Sequence, residues 1–140
     1  MDERLGLVGL SYRAGKLAVG DAGVREAVFA KRVRLICTAA DAGERVLEGA
    51  RRMPERCNGL HTETSFTRAE IGAALGLLDC GIIAFLDPGF AWAFAKKLTE
   101  IDEERYGALE AELRARRDRA QKRKAKKSGG GTRGNQARGG

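Results

Sequence analysis

Gly20-Asp21-Ala22-Gly23-Val24-Arg25-Glu26-Ala27-Val28, followed by Leu35-Ile36-Cys37-Thr38-Ala39-Ala40-Asp41, places an amphipathic helix directly before an apolar strand. Val24, Ala27 and Val28 recur at three- and four-residue spacing, the period of one helical face. Asp21 stands where an N-cap would accept a hydrogen bond from the helix start. The stretch Arg34 to Ala39 is apolar on both faces and partly β-branched, as a strand buried between two layers must be.

The same alternation extends outward in both directions. From about Asp2 to Ala14, Leu5, Val8 and Tyr12 share one helical face, with Leu10 beside it, and Gly15 stops the helix. Leu17-Ala18-Val19 is long enough only for an edge strand or a linker. Gly43 to Arg56 reads as a helix with Val46, Leu47 and Ala50 inward, and Leu60 to Ser65 as a strand. Thr67-Arg68-Ala69-Glu70 has the capping-box pattern and opens a helix carrying Ile71, Ala74 and Leu75. Ile82 to Leu86 is the clearest strand, and Asp87-Pro88 reads as N-cap and first helical residue. The last helix carries Phe90, Phe94 and Leu98, and its stripe is expected to continue through Ile101, Leu109 and Leu113, with Gly107 as the place to kink. Phe90, Trp92 and Phe94 read as core or shielding groups. Helices alternating with buried strands imply an α/β domain with its sheet covered on both faces.

The chain of 140 residues has room for one core and a tail. It holds no apolar run of the roughly 18 residues a membrane span requires, and Met1-Asp2-Glu3-Arg4 lacks a secretory layout. A cytoplasmic location away from membranes is expected. Cys37, Cys57 and Cys80 are widely spaced, so structural thiols are expected, with no metal and no cofactor. His61 follows Cys57 by four residues, but the sequence shows no orienting third group, so no enzymatic role is expected. The net charge of +7 is unevenly spread: residues 114–140 carry eleven Lys and Arg against Asp118 alone, which leaves −3 on residues 1–113. The run Arg114 to Lys127 reads as a basic helix that contacts phosphates, and the Gly-rich end as disorder.

Five motifs, in order, resemble the bacterial YlxQ-like branch of the kink-turn RNA-binding ribosomal protein superfamily. They are Leu5-Gly6-Leu7, Arg13-Ala14-Gly15-Lys16, Ala39-Ala40-Asp41, Ile71-Gly72-Ala73-Ala74-Leu75-Gly76, and Asp87-Pro88-Gly89-Phe90-Ala91. The resemblance covers about Leu5 to Leu98. It implies a three-layer α/β/α sandwich around a mixed four-stranded sheet, here with a basic C-terminal helix and a disordered tail. The corresponding segments are an RNA-binding domain over 1–98, a charged helical extension over 99–127 and a disordered Gly/Arg tail over 128–140. Where the kink-turn binders have Gly-x-Asn-Glu-x-x-Lys, this chain keeps Gly20 but has Ala22, Gly23 and Glu26 at the three polar positions. The loop between Cys57 and Leu60 is also shorter than the family's, by about two residues.

The resemblance implies that RNA meets the helix start at Gly20 and Asp21, where amides and the helix dipole attract phosphate. Arg13, Lys16 and Arg25 are candidate phosphate contacts around that turn. Leu86, Pro88 and Gly89 are assigned to the loop that packs on an extruded nucleotide in the family, and Arg123 and Lys124 to the basic tail. The function expected is a non-catalytic, monomeric RNA-binding protein associated with the ribosome. Its partner would be ribosomal RNA, with ribosomal proteins nearby, and its base specificity would be weakened. The alternative is a protein-interaction module that kept the fold and lost the RNA-reading side chains, as the −3 charge on residues 1–113 would favour.

Overall fold

The computed structural model describes residues 2–138, with side chains to Lys126; the disorder expected over 128–140 lies beyond those side chains. After a short 3-10 turn at Glu3–Leu5 the chain forms α1 (Gly6–Arg13), β1 (Leu17–Val19), α2 (Gly20–Phe29), β2 (Leu35–Thr38) and α3 (Glu44–Arg52). It continues through β3 (Leu60–Glu63), α4 (Arg68–Leu75), β4 (Ile82–Phe85), α5 (Pro88–Thr99) and α6 (Glu103–Arg138). The four strands form one mixed sheet in the order β1-β4-β2-β3. β4 runs antiparallel to both neighbours, Val19 opposite Ile83 and Leu35 opposite Phe85, while β2 and β3 are parallel.

The two central strands show why both faces must be covered. Leu35, Cys37, Ile83 and Phe85 point into one core with Leu5, Val8, Ile71, Phe94 and Leu98 from the helices. The alternate residues Ile36, Ile82 and Ala84 point into a second core with Val24, Ala27 and Val28 of α2 and Ala50 of α3. This period-two split leaves no polar face on β2 or β4, and the result is an α/β/α sandwich.

The capping box at α4 forms in full, with Glu70 N donating to Thr67 Oγ1 at 3.1 Å and Thr67 N to Glu70 Oε1 at 2.8 Å. Asp87 caps α5 by accepting from Phe90 N at 3.0 Å, with Pro88 in the first turn. The last helix departs from expectation. It does not run on through Ile101 to a kink at Gly107; the chain ends α5 at Thr99, reverses, and restarts at Glu103. Asp102 causes the break: its carboxylate accepts from Arg105 N at 3.0 Å, which makes it the cap of a new helix. Gly107 lies inside α6.

α6 therefore folds back along α5. Trp92 of α5 donates from Nε1 to Glu110 Oε2 at 2.7 Å, and the Arg117 guanidinium stacks 4.0 Å above the Trp92 ring. Tyr106 and Leu113 enter the first core, each 1% exposed. The Tyr106 hydroxyl and the Arg105 guanidinium both donate to the Glu63 carbonyl at the end of β3, and Arg116 donates to the Asn58 carbonyl just before it. Side chains of α6 thus reach both ends of β3, the strand at the sheet's edge.

The three cysteines are free, and Cys37 and Cys80 are buried as expected. Cys57 and His61 take separate partners: Cys57 Sγ donates to the Met53 carbonyl, while His61 Nε2 lies 3.0 Å from Thr38 Oγ1. Burial pushes the His61 imidazole below its usual 6.5; Glu63 opposes this and Arg51 adds to it. Below 6.5 the unfolded chain takes up a proton that the folded chain resists. Stability is therefore full above that value and falls as pH drops toward the folded pKa. Urea midpoints are expected to fall between about pH 7.5 and pH 5.5, with His61→Gln flattening the trend, because no other side chain ordinarily titrates in that window.

Candidate functional site

The start of α2 is built by a backbone conformation rather than by a capping side chain. Gly20 takes φ +81°, a region closed to most residues with a Cβ, and Val19 before it is extended with no side-chain oxygen to cap the helix. The expected cap is thereby corrected. Asp21 lies inside the first turn, and its carboxylate accepts from Arg25 Nε at 2.8 Å instead. Because glycine makes the sharp turn unaided, the helix begins one residue ahead of the aspartate.

The three positions where the resemblance expects polar readers sit in the open. Ala22 and Glu26 are exposed, and a Cβ added at Gly23 would meet nothing within 4 Å. No steric contact explains the small residues Ala22 and Gly23. This allows a paired prediction. Gly20→Ala is expected to cost about 1–2 kcal/mol, because alanine is strained at positive φ. Gly23→Ala is expected to gain roughly 0.5–1 kcal/mol from helix propensity. Chemical denaturation of both variants reads the contrast, and equal changes would mean that Gly20 does not hold this conformation.

The sequence-assigned residues fall into separate places. Gly20 and Asp21 lie at the end of β1. Arg25 is drawn away toward α3, where it lines a cavity of about 570 Å³ with Phe29, Arg52 and Met53. Lys16 and Leu86 lie at the opposite end of β1, where Leu86 N donates to the Lys16 carbonyl at 2.9 Å. Four residues of strand, about 13 Å, separate them from Gly20. Arg13 is exposed at the end of α1, on the Lys16 side. Pro88 follows Leu86 to that far end and meets Arg123 of α6 in a second cavity; Gly89 lies in the first turn of α5, and Lys124 is exposed on α6. The loop of Leu86, Pro88 and Gly89 is thus not the one beside the α2 start.

That neighbour is the connection between α4 and β4. β1 and β4 are antiparallel, so the beginning of β4 adjoins the end of β1. Cys80, on this connection, is buried and donates its thiol to the Ile82 carbonyl at 3.3 Å; burial raises its pKa, opposed by backbone groups of Ile82 and Gly20. On the outer side Leu77 is 48% and Leu78 94% exposed. The sequence reading missed both leucines. Two apolar residues directly after the helix-ending Gly76, on no buried period, were the available signal. Among the described residues, no cluster of His, Cys, Asp or Glu is arranged to hold a metal ion, and no helix is long and apolar enough to cross a membrane.

The fold has solved counterparts. A protein of unknown function from Bacillus halodurans superposes with a TM-score of 0.63 at 26% identity, covering 70% of this chain and 98% of that one. The Giardia lamblia 15.5kD RNA binding protein superposes with a TM-score of 0.57 at 14% identity, covering 71% of this chain and 84% of that one. The sequence matches no family model and no curated protein. At these identities the likeness to the Giardia protein is one of fold. The class it defines is a mixed-sheet α/β/α sandwich of the kind an RNA-binding protein also uses.

Proposed function

We propose that this chain is a non-catalytic, monomeric RNA-binding protein of the YlxQ-like kind, acting in the cytoplasm on ribosomal RNA beside ribosomal proteins. One observation carries the reading: a glycine-started helix without a side-chain cap adjoins a loop with two exposed leucines. That arrangement stands on a fold shared with an RNA-binding protein. The amides and positive end of α2 suit a phosphate. Leu77 and Leu78, exposed on that loop, suit the apolar face of an unpaired nucleotide. Ala22, Gly23 and Glu26 supply no base-edge hydrogen bonds, so binding rests on backbone shape and charge and discriminates weakly.

The test compares affinity of the full chain for a kink-turn RNA and a plain duplex of equal length, before and after Ala22→Asn, Gly23→Glu and Glu26→Lys together. Restored base contacts are expected to raise the preference tenfold or more, since each bidentate pair is worth about 1–3 kcal/mol. Neither a preference nor a gain would remove the α2 start from RNA recognition. The rival reading, a protein-interaction module, draws on the −3 charge of residues 1–113 and on the same exposed leucines. It requires a protein partner retained after nuclease treatment and lost on Leu78→Glu.

A further inference from the structure

At the end of the sheet away from Gly20, arginines from distant parts of the chain converge. Arg34 precedes β2, Asn58 precedes β3 and Pro88 opens α5, while Arg116, Arg119 and Arg123 project from α6. With Leu113 they line a cavity of about 310 Å³, and no carboxylate is among its lining residues. Arg116 is anchored, its Nε paired with Glu112 at 2.8 Å and its other end donated to the Asn58 carbonyl. Arg34, Arg119 and Arg123 make no ion pair among the described residues.

Such a gathering is self-repulsive in the free protein and favourable once an anion enters. Guanidinium forks match phosphate oxygens bidentately, which a diffuse lysine patch does not. The cavity also opens onto a longer track. Arg116, Arg119, Arg123 and Lys126 are spaced three, four and three residues apart on one face of α6, a run of about 15 Å. A nucleic-acid strand advances about 3.4 Å per phosphate, so the track spans several phosphates and suits a polymer better than a free anion.

We propose that this arginine cavity is a second phosphate-binding site, which holds the sugar–phosphate backbone of an RNA segment other than the one at the α2 start. It rests on the reading of RNA as the ligand and adds to it a two-ended grip. α6 supplies three of the four arginines, and its own seat on Glu63 and Asn58 positions them. Two contacts on one RNA make the second effectively intramolecular, so modest sites combine into a firm hold.

The experiment measures affinity of the full chain for a kink-turn RNA with long flanking stems over a series of salt concentrations. Arg119→Gln with Arg123→Gln is expected to lower affinity tenfold or more and to reduce the slope of log K against log salt by about 2. Arg34→Gln is expected to reduce it by about 1, although it is remote in sequence from α6. Arg45→Gln, which removes an equal charge from exposed α3, is expected to change affinity less than twofold. No effect from Arg34→Gln, or an effect equal to that of Arg45→Gln, would overturn the cavity and leave the α2 start standing. Failure of the unaltered chain to bind RNA would overturn both.

Discussion

Tyr106→Ala is expected to lower the free energy of unfolding by about 3–5 kcal/mol, the range for emptying a large buried aromatic site. The ring is 1% exposed and belongs to the core that also holds Phe85, Phe94 and Leu98. Its hydroxyl donates to the Glu63 carbonyl at 3.0 Å, so the substitution also leaves a strand-end acceptor without that donor. Tyr106→Phe keeps the packing and loses only the hydrogen bond, for about 1 kcal/mol. Thermal melts of the two variants separate packing from bonding, and the alanine variant is expected to melt roughly 10 °C lower or more. Limited proteolysis adds a local readout, because α6 released from β3 frays into a cleavable chain rich in Arg and Lys. If α6 were only a charged appendage, Tyr106→Ala would open it to protease while the melting of the sandwich stayed unchanged.

The strands were legible because each central one must be apolar on both sides, and Leu35 to Thr38 and Ile82 to Phe85 have no other use for such residues. Caps were legible where a side-chain oxygen makes them, at Thr67 and Asp87. Asp21 misled because a glycine with positive φ performs the same task through the backbone, and composition alone does not reveal φ. The reversal at Asp102 was hidden because Ile101, Leu109 and Leu113 fit one continuous stripe as well as a folded-back helix. Of the candidate site, the α2 start was readable from the Gly20 motif. The adjoining loop was not, since which end of β4 neighbours Gly20 depends on strand direction: β4 antiparallel to β1 brings the α4–β4 connection there and sends Leu86 and Pro88 away. The arginine cavity was unreadable for a similar reason. Arg34 and Arg123 look like isolated charges until the sheet and α6 bring them together.

Gly72→Ala is expected to be the most damaging small substitution near the α2 start. A Cβ there would stand 2.6 Å from Asp79 Cα and 2.8 Å from Asp79 N, and backbone atoms cannot rotate aside as a side chain would. The loop has little room to retreat. Leu77 N donates to the Gly72 carbonyl at 2.8 Å, Cys80 N to the Arg68 carbonyl at 3.0 Å, and Gly76 turns the chain at φ +75°. Overpacking against a segment tied on both sides falls at the upper end of its usual range, about 3 kcal/mol. The strain also falls on the connection that carries Leu77 and Leu78, because Leu77 N and Asp79 both rest on Gly72. On the proposed RNA-binding reading, affinity measured under conditions where the variant stays folded is expected to fall tenfold or more, while Gly23→Ala leaves the loop in place. Unchanged denaturation would mean that the loop is not seated on α4. Lowered stability with full RNA affinity would remove the leucine loop from the proposed interface and leave only the helix start in it.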